Sequence, residues 1–186
     1  MPDDNSSLFP AASSLGPLGS VAQPGGLTLN PFDRDVLIRT LYGEGADQPV
    51  SGQEGIVQTM LNRVAQGGLG AARGPAGVAK FPGQYSTWNP IGRGGNMIGR
   101  NLQVGSPDYN AMGDVVDRVY AGIVPDITGG SQNYYVPTQV SPSWAGPLAA
   151  QQNLQIGMHR FVGAGPTRIT PAAVAGSLYD EGVGTT

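Results

Sequence analysis

Apolar residues recur at helical spacing in three stretches of this chain, and between them glycine and proline break every period. The first stretch opens at Asn30-Pro31-Phe32-Asp33, which offers an N-cap, a proline suited to the first helical position and an acid for the first turn. With Phe32, Val36, Leu37 and Leu41 at near-helical spacing, the pattern predicts a helix over about 31–42 that stops where Gly43 and Gly45 flank Glu44. The second stretch begins at Ser51-Gly52-Gln53-Glu54, which reads as a capping box. It continues with Ile56, Val57, Met60, Leu61 and Val64 on one face. The third opens at Ser106-Pro107 and carries Tyr109, Met112, Val115, Val116 and Val119 before Gly122.

From 66 to 105 no period is readable, and Phe81, Tyr85, Trp88 and Ile91 are the apolar anchors expected for a long structured loop or short strands. Asn133-Tyr134-Tyr135-Val136 and Phe161-Val162 predict short extended pieces, and Thr170-Pro171 predicts a last short helix to about Tyr179. Residues 1–29 are rich in Ser, Gly, Pro and Ala, and their few apolar residues follow neither helix nor strand spacing. They are expected to form an extended arm, and 165–186 a C-terminal tail, both ordered by partner subunits.

Composition narrows the function. A length of 186 residues with 39% hydrophobic content suits one domain, while 30 Gly and 16 Pro confine its core to part of the chain. The net charge of −3, with Lys and Arg scattered singly, excludes a nucleic-acid footprint. Without cysteine and with a single histidine, His159, the chain has no disulfide framework, thiolate site or multi-histidine metal cluster, so no metal is expected. The acidic start Met1-Pro2-Asp3-Asp4-Asn5 lacks the basic and apolar regions of a secretory signal. No apolar run reaches membrane-spanning length, so neither self-export nor membrane insertion is expected.

A carboxyl group at a helix end is an ordinary surface feature, but two local facts favour a role for Glu44. The negative end of the helix dipole and the neighbouring Tyr42 disfavour a carboxylate there, as a working acid requires. Glycines on both sides also leave room for a bulky sugar chain.

The run Leu37-Ile38-Arg39-Thr40-Leu41-Tyr42-Gly43-Glu44, followed by Gly52-Gln53 and Leu61-Asn62-Arg63-Val64, resembles the SleB-type cell-wall hydrolases, which include the spore cortex-lytic transglycosylases. The resemblance continues through Pro82-Gly83-Gln84-Tyr85-Ser86, Asp126-Ile127-Thr128-Gly129-Gly130, Tyr134-Tyr135, Ser141-Pro142-Ser143-Trp144-Ala145 and Ile156-Gly157-Met158-His159-Arg160-Phe161. It implies a lysozyme-like α+β, mostly helical single domain over about 30–164, with extended N- and C-terminal arms and Glu44 as the catalytic acid. Three departures stand out: Gln48, beside Asp47, replaces a second acid common in the family; Gly45 replaces its usual alanine; and the stretch 66–80 is long and glycine-rich.

Glycosidases generally pair two carboxylates, about 5 Å apart for retention or about 6.5–9.5 Å for inversion. Here Asp47 is the nearest second acid and Asp126 another, and neither is convincingly placed by sequence. A lytic transglycosylase needs only one, since the same glutamic acid protonates the leaving oxygen and then deprotonates the C6 hydroxyl of muramic acid. The expected activity is therefore lytic cleavage of the MurNAc–GlcNAc bond of peptidoglycan without a cofactor. The alternatives are a water-using muramidase and an inactive structural virion protein of the same fold.

Tyr134, Tyr135 and Tyr85 are the aromatic candidates for substrate binding, and Gln132 and Asn133 are candidates for hydrogen bonds to it. Trp88 and Trp144 could also stack on sugar faces. His159 reads as a structural residue, and Asn62 and Arg63 as a buried polar brace. The expected setting is a phage virion acting on the host wall, with the arms on tail or capsid proteins, or host cytoplasm before holin-mediated release.

Overall fold

A computed structural model of the chain describes residues 29–163. The expected arms and the helix at Thr170 lie outside the described residues, apart from Leu29 at the end of the first arm. The described part is α+β and mostly helical. Helix α1 spans Pro31–Gly45, α2 Val50–Ala65, α3 Gly74–Ala79, α4 Pro107–Tyr120 and α5 Ala145–Ala149. Strands β1 (Asn133–Tyr135), β2 (Asn153–Ile156) and β3 (His159–Val162) form an antiparallel sheet in the order β1-β3-β2.

Helix α1 starts as its sequence predicts: Asn30 Oδ1 accepts the Asp33 N–H at 2.8 Å, with Pro31 in the first turn. It runs one turn further than expected, to Gly45, because Gln53 Nε2 of α2 reaches back to the Gly45 carbonyl at 3.2 Å. Helix α2 corrects the capping-box reading. It begins at Val50 with Pro49 at the cap, so Ser51 is already helical and makes no cap bond. Glu54 instead forms an ion pair with Arg118 of α4 at 3.3 Å. In α4, Ser106 caps the Tyr109 N–H at 3.1 Å, and the predicted apolar stripe is buried.

The core is the region where α1, α2 and α4 meet, with Leu37, Ile38, Leu41, Ile56, Met60 and Val116 fully buried. At about 25 cal/mol per Å² of apolar area removed from water, such side chains supply most of the drive to fold. Arg34 of α1 fastens the outer edge through a two-pronged pair with Asp117 of α4, both bonds 2.8 Å. Helix α3 was missed from sequence because it is short and, apart from the buried Val78, made of Gly, Pro and Ala; it is held by Asp33, whose carboxylate accepts the Ala76 N–H at 2.9 Å. Of the expected loop anchors, Tyr85 is buried, whereas Ile91 is 63% exposed and anchors nothing.

The sheet lies on α2. Strand alternation puts Tyr134, His159 and Phe161 on one face and Tyr135 and Arg160 on the other. The ring of Phe161 sits directly on Gly55 of α2, where an added Cβ would meet it at 2.6 Å. Strand β2 and helix α5 are too short, at 4 and 5 residues, to show a period, and they went unpredicted.

Gly55→Ala should therefore lever the sheet off α2. The expected loss is about 1–3 kcal/mol, the usual cost of overpacking a core. Urea unfolding should show the loss, and Phe161→Leu should recover part of it in the double variant.

Candidate active site

Glu44 occupies the last turn of α1, and its surroundings are set by how closely the chain from 86 to 99 approaches that turn. A Cβ at Gly43 would overlap Thr87 Oγ1, and one at Gly99 would overlap the Arg39 carbonyl. With both side chains absent, Ser86 Oγ donates to Glu44 Oε1 at 2.7 Å and the Thr87 N–H donates to the same oxygen at 3.3 Å. Asn96 Nδ2 in turn donates to Ser86 Oγ at 2.6 Å, which leaves the serine proton for Glu44. Three further links hold the segment. Trp88 Nε1 donates to Thr40 Oγ1 at 2.8 Å, Arg39 Nη1 donates to the carbonyls of Arg100 and Leu102 at 3.0 and 2.7 Å, and Arg100 donates to those of Thr87 and Asn89.

An open pocket of about 350 Å³ lies at this helix end, lined by Tyr42, Gly43, Glu44, Gly45, Asp47, Gln48, Ile98, Val136, Gln139, Met158 and His159, among others. Its walls come from α1, the following turn, the 86–99 segment and the sheet. Tyr42 is not the expected partner of Glu44, since its hydroxyl bonds Asp108 at 3.1 Å. Tyr134 takes that place. Its phenol is pushed well above the usual range, first by burial and next by the Glu44 carboxylate, so it stays a neutral hydroxyl near that acid.

Gln48 and Gly45 each have a local structural role. Gln48 is buried: its Oε1 accepts the Met158 N–H at 3.1 Å and its amide donates to Asp47 at 3.1 Å, tying the α1–α2 turn to the β2–β3 turn. At Gly45 an added Cβ would stand 2.5 Å from Ile56 Cδ1, so the glycine lets α2 close on α1.

The structure brings together Glu44, Tyr134 and Asp47 and leaves the other candidates apart. Tyr85 is 2% exposed and lies beneath Arg63, whose Nη1 donates to its hydroxyl at 3.2 Å; it braces the site and cannot line a cleft. Burial pushes its phenol up to about 12. Arg63 also engages the Gln132 carbonyl at 2.5 Å and Asn133 Oδ1 at 3.3 Å, while the Gln132 amide bonds Gln66, so both are occupied within the fold. Tyr135 points to the opposite face of β1 from Tyr134 and packs edge-on against Trp144 at 5.8 Å. Asp126 is spent on its own loop, accepting from the Thr128 N–H at 2.8 Å, the Thr128 hydroxyl at 2.6 Å and the Gly130 N–H at 2.8 Å. Asn62 and Arg63 are the polar brace expected of them: Asn62 Nδ2 donates to the Ser131 carbonyl at 2.9 Å and to Thr128 Oγ1 at 3.1 Å.

Sequence reasoning missed Ser86, Thr87 and Asn96. The available signal was Ser86 at the end of a matched motif, but nothing in its spacing links it to Glu44, 42 positions earlier.

No family model matches the chain, and no curated protein matches it. Among solved structures it is similar to the catalytic domain of the germination-specific lytic transglycosylase SleB from Bacillus anthracis. The identity is 24%, the match covers 75% of this chain and 98% of that one, and the TM-score is 0.49.

The raised phenols can be checked by absorbance titration. Both Tyr85 and Tyr134 should stay protonated above pH 10 while the fold holds, and Tyr134→Phe should leave the titration up to pH 10 unchanged. These groups have folded values above the ordinary 10.0, so the stability they carry is complete below pH 10. It is lost as pH rises toward and through those values. Unfolding should therefore become easier in that window, and less steeply so for Tyr134→Phe.

Proposed function

We propose that this protein cuts the glycan strands of peptidoglycan as a lytic transglycosylase, with Glu44 serving first as general acid and then as general base. The observation that carries this reading is the Glu44 carboxyl group, held by two donors in an open pocket, supported by the order of cell-wall-hydrolase motifs from Leu37 to Phe161.

Ser86 and Thr87 both donate to Oε1, which leaves Oε2 as the oxygen that carries the proton. In the first step that proton passes to the glycosidic oxygen as its bond to muramic acid C1 breaks, and positive charge develops on the sugar ring. The carboxylate left behind is stabilised by Ser86, Thr87 and Tyr134. In the second step it takes the proton of the C6 hydroxyl as that oxygen bonds C1, closing a 1,6-anhydro ring and restoring the neutral acid. No water is consumed, and no second carboxylate is needed.

One observation favours a second reading. Asp47 lines the same pocket and is exposed, so it is the residue that would activate water in a muramidase; Asp126 is engaged elsewhere. Delivery in a phage particle, with the terminal segments on neighbouring virion proteins, is the setting we propose from sequence alone.

Mass spectrometry of fragments released from purified peptidoglycan tests the reading. The parent should release anhydro-muropeptides, and Glu44→Gln should release them about 10²–10⁴-fold more slowly, the usual contribution of a general acid/base. Reducing muropeptides lost in Asp47→Asn would favour the muramidase, and release by neither protein would overturn both readings.

A further inference from the structure

The chain's single histidine is a buried polar side chain beside Glu44 that the reaction above does not use. His159 opens β3, is 4% exposed, and lines the Glu44 pocket. Its ring stands edge-on to Tyr134, with centroids 4.8 Å apart, and lies 6.2 Å from Phe161. Nδ1 is sealed from solvent with no hydrogen-bond partner, and among the described residues no group hydrogen-bonds Nε2 either. A buried nitrogen with no acceptor is a costly place for a proton. The ring proton therefore belongs on Nε2, and a second proton would have to occupy the sealed Nδ1. Burial accordingly holds the imidazole below its ordinary 6.5, against the opposing pull of Asp47.

The pocket thus contains a neutral N–H donor with no hydrogen-bond partner among the described residues. Beside it stand the apolar side chains Ile98, Val136 and Met158. Ile98 and Met158 are 56% and 44% exposed, so both have surface left to give to a ligand. A ligand carboxylate is poorly matched here, because Glu44 and Asp47 share the pocket and the donor is uncharged. A sugar hydroxyl would satisfy the donor and leave the apolar walls bare. An acetamido group satisfies both, with a carbonyl oxygen for the donor and a methyl for the walls.

We propose that His159 Nε2–H recognises the acetamido carbonyl of an N-acetylated sugar bound beside Glu44, with the acetyl methyl against Ile98, Val136 or Met158. The assignment rests on the glycan-cleaving reading and adds to it a requirement for N-acetylation at the sugar next to the scissile bond. It moves acetyl recognition from Gln132 and Asn133, which Arg63 and Gln66 engage, to the sheet's inner face.

A lone histidine gives an unambiguous NMR probe. The full chain bearing Glu44→Gln, with its imidazole labelled with ¹⁵N, should show the Nε2–H tautomer at neutral pH. Adding the tetramer of N-acetylglucosamine should shift the Nε2 signal, and the tetramer of glucosamine should not. His159→Leu should weaken binding of the acetylated tetramer about threefold to tenfold, the worth of one neutral hydrogen bond. His159→Gln, which restores a donor near Nε2, should recover most of that loss. An Nδ1–H tautomer, or an unmoved histidine while the Gly43 and Gly45 amides shift, would overturn the assignment and leave the glycan reading standing. Absence of any shift in the pocket with the acetylated tetramer, at millimolar concentration, would overturn both.

Discussion

The site depends on one close approach, the packing of residues 86–99 against the last two turns of α1. Gly43 and Gly99 are the two points where a side chain would collide with the opposing strand of chain. Without that proximity Glu44 would be a solvated acid at a helix end, free to rotate and no different from many surface carboxylates. With it, a serine hydroxyl and a backbone N–H fix one carboxylate oxygen. The long segment carrying these donors has little regular structure, so its position is secured by polar links to α1, chiefly Trp88 to Thr40 and Arg39 to the carbonyls of Arg100 and Leu102.

The opposite wall is built by different means. The small sheet reaches α2 through Phe161 on Gly55, a ring lying on bare backbone, and that contact brings Tyr134 and His159 to the helix end. Arg63 ties the two walls together beneath the pocket, since it bonds Tyr85 and Gln84 on one side and Gln132 and Asn133 on the other. Gln48 performs a similar service at the rim by joining the α1–α2 turn to the backbone of Met158. In that position an amide can both accept from a backbone N–H and donate to Asp47, whereas a carboxylate could only accept. Gln48 therefore holds the rim by a pair of bonds that a carboxylate at this position could not make.

Much of this was legible before any coordinates. Helices α1, α2 and α4 bury apolar stripes that repeat at helical spacing, and local chemistry sets two of their starts: Asn30 and Ser106 cap as their sequences suggest. The capping box at Ser51 misled because the helix is capped two residues earlier, at Pro49, and Glu54 was claimed by a cation on another helix. Tyr85, Gln132 and Asn133 looked like ligand contacts because aromatic and amide side chains suit sugars. Arg63 engages Tyr85, Asn133 and the main-chain carbonyl of Gln132, whose side chain bonds Gln66, and a residue's partner across 22 or 70 positions cannot be read from its neighbours in sequence.

The sequence by itself determined the main helices and the apolar core between them and singled out Glu44 as the candidate acid, because periodicity, capping and motif order are local properties. Only the tertiary structure decided which groups face that acid. It turned Tyr42 toward Asp108, set Tyr134 in its place, held Asp126 in its own loop and left His159 without a hydrogen bond among the described residues. The reason is physical: hydrogen bonds and charges act over a few ångströms of space, and folding brings residues within that distance irrespective of their separation along the chain.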